Sequence, residues 1–298
     1  MPRLNIEHAQ VRDARYDPAI NTHTADLFES VEDAYALRKE RVDLIRGVTD
    51  KLDDQALVYS MRRLARRLTH PEVECTLADP VYMRSVRRQM ASSLGHFLNL
   101  PENRETVRFV TIVPRDAQYR ADAPIPLSPN RLQRSLRTSL NRCGAGEANG
   151  LFIAWLEGDY DPRTGIGQLH WHGFVAEGMI QVVQRLMDTD KYRSERAPSA
   201  RARYQTKFGA RVVDPIKIST QLDRLPRAIL YCLKQRWWAR PIGASGETGE
   251  WSSFAARGKH MPPLVEAHSL LWRDKWSLSD ITLMMGMYMG ADGLALSK

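Results

Sequence analysis

Gln168-Leu169-His170-Trp171-His172-Gly173-Phe174-Val175 is the stretch on which the reading of this chain turns. A polar start followed by large apolar and aromatic residues reads as a strand. Side chains alternate faces along a strand, so His170 and His172 project to one side, and Leu169 and Trp171 to the other, toward a core. Two imidazoles about 6 to 7 Å apart along the backbone can share one metal ion. Two surface histidines on an edge strand would give the same pattern, so the motif needs support from elsewhere in the chain.

That support lies downstream. Residues 227–238, Arg-Ala-Ile-Leu-Tyr-Cys-Leu-Lys-Gln-Arg-Trp-Trp, read as a helix with Pro226 in its first turn. Tyr231 and Lys234 stand at i and i+3, which makes them neighbours on one helix face. A tyrosine can act as a covalent nucleophile, but with a phenol pKa of about 10 it needs help. An adjacent ammonium can supply that help by stabilising the phenolate or the charge that builds on a phosphate. A half-buried tyrosine beside a solvated lysine is the ordinary alternative.

The histidine strand followed by Tyr231-x-x-Lys234 resembles the HUH endonuclease superfamily, and within it the single-tyrosine rolling-circle replication initiators of bacterial plasmids and phages. Residues 108–114, Arg-Phe-Val-Thr-Ile-Val-Pro, resemble the first family motif, an apolar strand with a threonine. Leu169-His170-Trp171-His172 matches the His-hydrophobic-His motif, and Tyr231 with Lys234 matches the Tyr-x-x-Lys motif. The resemblance spans residues 105–240 and leaves the first hundred and last fifty residues uncovered. It implies a divalent metal, Mg²⁺ or Mn²⁺, on His170 and His172, with Tyr231 as nucleophile and Lys234 beside it.

A third metal ligand is sought on the neighbouring strand. Residues 151–156 are an apolar run that reads as a buried strand ending at Glu157, and residues 159–167 are a turn by composition, so this strand and the histidine strand should form a hairpin. The resemblance favours a carboxylate there. Glu157 would complete a two-histidine, one-carboxylate set suited to Mg²⁺ or Mn²⁺ bound also to phosphate. Asp159 is its competitor.

The rest of the chain fits a polyanion partner. The 298 residues carry a net charge of +8 and 43% hydrophobic content, ample for a core and basic enough for nucleic acid. No apolar run is long enough to span a membrane, and the first residues lack a signal-peptide core. Cys75, Cys143 and Cys232 are sparse and without metal-type spacing, as expected in a reducing cytoplasm. Residues 24–46 read as a helix capped by Thr24 and stopped by Gly47, with Leu27, Phe28, Val31, Tyr35 and Val42 as its apolar stripe. Residues 53–68 and 80–98 read as two more helices rich in arginine, including Arg62, Arg63, Arg66 and Arg67. Like charges one turn apart repel, and either DNA or an acid from a neighbouring element would relieve them.

Ser128 and Pro129 open a further helix with a Leu132, Leu136, Leu140 stripe and with Arg131, Arg134 and Arg137, expected to contact DNA, mostly off it. Residues 178–187 suggest a short helix. Residues 191–207 mix Arg201, Arg203 and Lys207 with Tyr192 and Tyr204, a pattern suited to single-stranded DNA, with phosphates on the cations and bases stacked on the rings. Residues 211–218 read as an edge strand, residues 241–259 as a loop, and residues 263–272 and 277–289 as two helices.

These elements imply an α+β fold: a central, mainly antiparallel sheet carrying the histidine strand, flanking helices, a helical N-terminal region and C-terminal helices. The expected division is residues 1–100 for DNA contact or dimerisation, 101–245 for the endonuclease, and 246–298 as a helical extension. The resemblance implies nicking and rejoining of single-stranded or hairpin DNA at an origin through a 5′-phosphotyrosine, in the bacterial cytoplasm. No Walker A motif occurs, so a host helicase and polymerase would act alongside. One motif tyrosine leaves strand closure to a second subunit of a homo-oligomer, another tyrosine or water. A transposase or mobilisation protein of the same superfamily and a non-catalytic basic DNA-binding protein are the alternatives. The tyrosine follows the histidines here, the reverse of the usual relaxase order.

Overall fold

The computed structural model describes residues 29–70, 75–98, 107–189, 192, 225–239, 259–290 and 293–296. Three helices come first, α1 (Val31–Thr49), α2 (Gln55–Thr69) and α3 (Pro80–Leu98). α1 starts where Ser30 and Asp33 exchange side chain-to-amide hydrogen bonds. That capping box satisfies two amides that a helix start otherwise leaves unpaired. Thr24, expected as the cap, lies outside the described residues, and the helix continues through Gly47. The expected stripe is also displaced: Val31 and Tyr35 are 42% and 53% exposed, while Ala34, Arg41, Val42, Ile45 and Val48 are buried. A stripe drawn through the first turns is rotated from the one that the last turns bury, and only Val42 belongs to both. α2 is capped by Asp54, and its buried Val58, Met61, Leu64, Ala65 and Leu68 follow the helical period.

The remaining elements are β1 (Arg108–Ile112), β2 (Gln118–Arg120), α4 (Pro129–Arg142), β3 (Phe152–Asp161), β4 (Ile166–Val175), α5 (Gly178–Met187), α6 (Leu225–Cys232), β5 (Trp238–Ala239), α7 (Pro263–Asp274), β6 (Thr282–Met285), β7 (Met287–Gly290) and β8 (Gly293–Leu296). β4 is central. It pairs with β3 on one side and with β1 and β2 on the other, and the outer edge of β3 takes β5 and β6. Every pairing in this six-stranded sheet is antiparallel except β3 with β5. The fold is therefore α+β, with a mainly antiparallel sheet and seven helices among the described residues.

Three expectations are corrected. β3 does not stop at Glu157 but runs on to Asp161, so the hairpin turn is residues 162–165; Gly158, Asp159 and Asp161, turn residues by composition, hide a paired, largely buried strand end. α6 ends at Cys232, so Lys234 lies beyond the helix. The segment expected as a helix at residues 277–289 forms β6 and β7 instead. A short apolar run carries no decisive period, and methionine suits either state. Pairing decides it here: Thr282 and Leu283 sit opposite Trp155 and Ala154 of β3. Gly286 then turns the chain with φ +71°, where a Cβ would come within 1.9 Å of the Gly150 carbonyl oxygen. The expected strand at residues 211–218 lies outside the described residues.

The apolar interior has two parts. The larger gathers both strands of the hairpin with the stripes of α3, α4 and α5 and with Ile229, Cys232 and Leu233. The smaller joins α1 and α2 to α7 through Val42, Ile45, Leu64, Leu68, Leu270 and Leu271. Between them lies a polar knot. The Gln235 carbonyl accepts from both Arg41 and Arg273, at 2.6 Å for Arg273. Arg41 also donates to the Ala78 carbonyl at 2.7 Å, and the Gln235 amide donates to the Pro80 carbonyl at 3.1 Å. Arg41 and Arg273 are 1% and 5% exposed, so their hydrogen bonds offset a desolvation cost that would otherwise be prohibitive. Among the described residues, no helix is long and apolar enough to cross a membrane.

Candidate metal centre

The sheet register builds the site. Directly opposite residues of an antiparallel pair share a face. Glu157 faces His170, Trp155 faces His172, and Thr111 of β1 faces His172 from the other side. Glu157, His170, His172 and Thr111 thus converge on one face of three adjacent strands. Glu157, His170 and His172 each offer a donor atom, and these atoms lie within 4.8 Å of one another. Donors on one small divalent ion at ~2.1 Å stand about 3 to 4 Å apart, so modest side-chain rotation brings the three onto a single ion. All three side chains are buried.

The imidazoles are held in place by their second nitrogens. His170 Nδ1 lies 3.3 Å from the Gln168 carbonyl; a carbonyl only accepts, so Nδ1 carries the proton and Nε2 keeps its lone pair for a ligand. His172 Nδ1 lies 2.8 Å from the Thr111 hydroxyl. Phe109 stacks on the His172 ring at 5.7 Å and 26°. Gln168 is fixed in turn by donating to the Pro114 and Leu169 carbonyls, both at 2.8 Å. Two imidazoles and a carboxylate form a borderline-to-hard donor set that suits a divalent cation. Asp159 is placed differently from Glu157: its Oδ2 lies 3.8 Å from His170 Nε2, and it falls outside the three-donor group.

Lys234 is woven into this set. Its backbone amide donates to Glu157 Oε1 at 2.6 Å, and its ammonium lies 2.9 Å from Glu157 Oε2. Burial works against the charge on Lys234, but Glu157 and then Asp159 outweigh it and hold the ammonium above its usual pKa. Burial pushes the Glu157 carboxyl up, and Lys234 pulls it back. The lysine ammonium also sits 4.2 Å from the centroid of the Tyr231 ring. Tyr231 and Lys234 are therefore neighbours although they do not share a helix: the turn after Cys232 folds the lysine back beneath the tyrosine. Tyr231, half-buried at the end of α6, meets the His172 ring edge-on at 4.8 Å and Phe109 at 6.0 Å.

The candidate residues thus divide. Glu157, His170, His172, Tyr231 and Lys234 come together. Arg137 donates to the Met284 carbonyl at 3.2 Å and is half-buried against β6, and Arg134 donates to Asn130 within its own helix. Arg131 is exposed. Arg201, Arg203, Tyr204 and Lys207 lie outside the described residues. Tyr192, expected to stack on DNA bases, is instead a core side chain, 1% exposed, with burial raising its phenol pKa. Thr111, Phe109 and Gln168 support the site without having been singled out for it. The one cue to Thr111 was its place in an apolar strand; its pairing with His172 depends on register. Comparison with protein-family models, with curated proteins and with solved structures finds no match to this chain.

Proposed function

We propose that this protein nicks and rejoins single-stranded DNA at a specific site through a tyrosine nucleophile and a divalent metal, as a rolling-circle replication initiator. The observation that carries the reading is the convergence, from three separate chain segments, of a two-histidine, one-carboxylate set with Tyr231 and Lys234. A structural tyrosine has no need of a metal-type donor set against its ring. Glu157, His170 and His172 would hold Mg²⁺ or Mn²⁺, which supplies Lewis acidity at a phosphate oxygen.

The chain's own groups do the rest. Tyr231 Oη attacks phosphorus in line and gives up its proton to solvent. The phosphorus–O3′ bond breaks, and the 3′ oxygen leaves as a hydroxyl after taking up a proton from solvent. A 5′-phosphotyrosine results. One phosphodiester replaces another, so the step reverses when a 3′-hydroxyl returns, without a nucleotide cofactor. Lys234, held protonated by Glu157, offsets the charge that develops on the phenolate. Thr111 and Gln168 keep the imidazole nitrogens aimed. Such an enzyme would work at an origin with host helicase and polymerase.

The test is a labelled oligonucleotide library incubated with the protein and Mn²⁺, then resolved on a denaturing gel. A covalent adduct is expected from the wild type and none from Tyr231→Phe, from His170→Ala or in EDTA. An adduct that persists in Tyr231→Phe would assign the nucleophile elsewhere. Absence of Mn²⁺ binding by calorimetry together with absence of any adduct would leave the non-catalytic DNA-binding alternative.

A further inference from the structure

A second charged site lies away from the sheet. The C-terminal halves of α1 and α2 border an open cleft of about 240 Å³ whose lining includes Arg46, Asp50, Arg62, Ala65, Arg66 and His70. Arg46, Arg62, Arg66 and His70 are exposed. Arg62 and Arg66 stand one turn apart on one helix face and repel each other.

Other arginines of the three N-terminal helices are treated differently. Arg38 pairs with Asp79 at 2.6 Å, Arg67 with Asp274 at 2.8 Å and Arg87 with Glu29 at 2.5 Å. Arg67 directly follows Arg66, yet it turns away to an acid on α7. Among the described residues, Arg46, Arg62 and Arg66 have no such ion pair, and Asp50 is the one acid among the lining residues. Arg46 and Arg66 lie in last turns, where a cation also complements the helix dipole. Arg62 is a full turn further in and has no such reason to be there. Three guanidiniums held in one concavity, against one carboxylate, form a ready anion site, because a planar fork of donors fits phosphate oxygens in pairs.

We infer that this cleft binds the phosphodiester backbone of duplex DNA, with Arg46, Arg62 and Arg66 as the phosphate ligands. The spacing of Arg62 and Arg66, ~6 Å along the helix, suits successive phosphates of one strand. The inference rests on the DNA-nicking reading for the choice of DNA among polyanions. It gives the N-terminal helices a task distinct from chemistry: gripping the duplex beside a single-stranded site.

The experiment measures equilibrium binding of a fluorescent mixed-sequence duplex to the full chain carrying Tyr231→Phe, in EDTA, across a salt series, so that no cutting takes place. Arg62→Ala/Arg66→Ala in that background should lower the slope of log K against log salt by about 2 and weaken binding about tenfold or more at low salt. Arg63→Ala, an exposed arginine of the same helix that does not line the cleft, should change the slope by much less. Alanine favours the helix, so circular dichroism should show both variants folded. An unchanged slope in the double variant would overturn the inference, as would an equal loss per charge at Arg63. Displacement of the duplex by inorganic phosphate at matched ionic strength would mark a free-anion pocket and overturn it too. If the wild type forms no adduct yet the salt slopes differ as expected, the nicking reading fails and the cleft stands.

Discussion

Replacing Lys234 by methionine tests the centre most directly. The substitution keeps an unbranched stem of similar length and removes only the ammonium. In the wild type that ammonium lies 2.9 Å from Glu157 Oε2, with the two side chains 7% and 5% exposed. Removing one partner of a buried pair strands the other charge, at about 3 to 5 kcal/mol. The Lys234 amide still donates to Glu157 Oε1, so the loss should fall at the lower end, about 3 kcal/mol. Urea unfolding in EDTA, followed by tryptophan fluorescence to which the fully buried Trp155 and Trp171 contribute, reads this out. A mildly alkaline buffer keeps Glu157 from escaping the penalty by taking up a proton. Mn²⁺ should then stabilise the variant by about 2.7 kcal/mol at 100 times its Kd. At any one Mn²⁺ concentration the wild type should gain less, because there the ion competes with Lys234 for the same carboxylate oxygen. A variant as stable as the wild type in EDTA would refute the pairing. Equal stabilisation of the two by Mn²⁺ would refute the competition.

Three further outcomes follow. Thr111→Val removes the hydroxyl 2.8 Å from His172 Nδ1; it should cost about 1 kcal/mol in stability and about tenfold or more in Mn²⁺ affinity by calorimetry, and full affinity would show that the hydroxyl does not orient the ring. Gly173→Ala places a Cβ 1.9 Å from the Ile153 carbonyl oxygen and 2.5 Å from the Ala154 Cα, both backbone; the strands must part beside His172, so the cooperative unfolding transition should move down by about 3 kcal/mol or more, and a variant within ~1 kcal/mol of wild type would contradict the register. His268 is 2% exposed, and burial first of all lowers its pKa below the usual value. The neutral ring is thus favoured in the folded state, so its contribution is present above about pH 6.5 and fades as pH falls through the lower folded value. His268→Gln should flatten the acid limb of a stability–pH profile, and an unchanged limb would assign that loss to other groups.

Much of the centre was legible in sequence because its parts depend on short-range rules. Alternation alone puts His170 and His172 on one face, and a hairpin alone puts Glu157 near them. Where the strand ends was not legible: Asp159, Tyr160 and Asp161 look like turn residues, yet the ladder with β4 carries them. The side-by-side placement of Tyr231 and Lys234 followed from i, i+3 spacing, but its physical basis differs. The helix stops at Cys232, and Glu157 captures the Lys234 amide instead. The C-terminal strands were hidden because Leu283, Met284 and Met285 satisfy helix and strand alike until β3 offers an edge. Thr111 and the pairings of Arg41 and Arg273 depend on contacts between distant segments, which local spacing does not encode.

The joint acceptance of Arg41 and Arg273 by the Gln235 carbonyl has a consequence for biosynthesis. Arg41 and Gln235 are 194 positions apart, and Arg273 comes 38 positions later still. A ribosome delivers these in order at ~5–20 residues per second. A nascent chain therefore holds the histidines and Tyr231 for some seconds before the second guanidinium that fixes the residue next to Lys234 has been made. β6, which pairs with β3 opposite Trp155, is made later still. The polar seam beside Lys234 and the strand edge beside Trp155 are thus completed only after every residue of the candidate metal centre has been made.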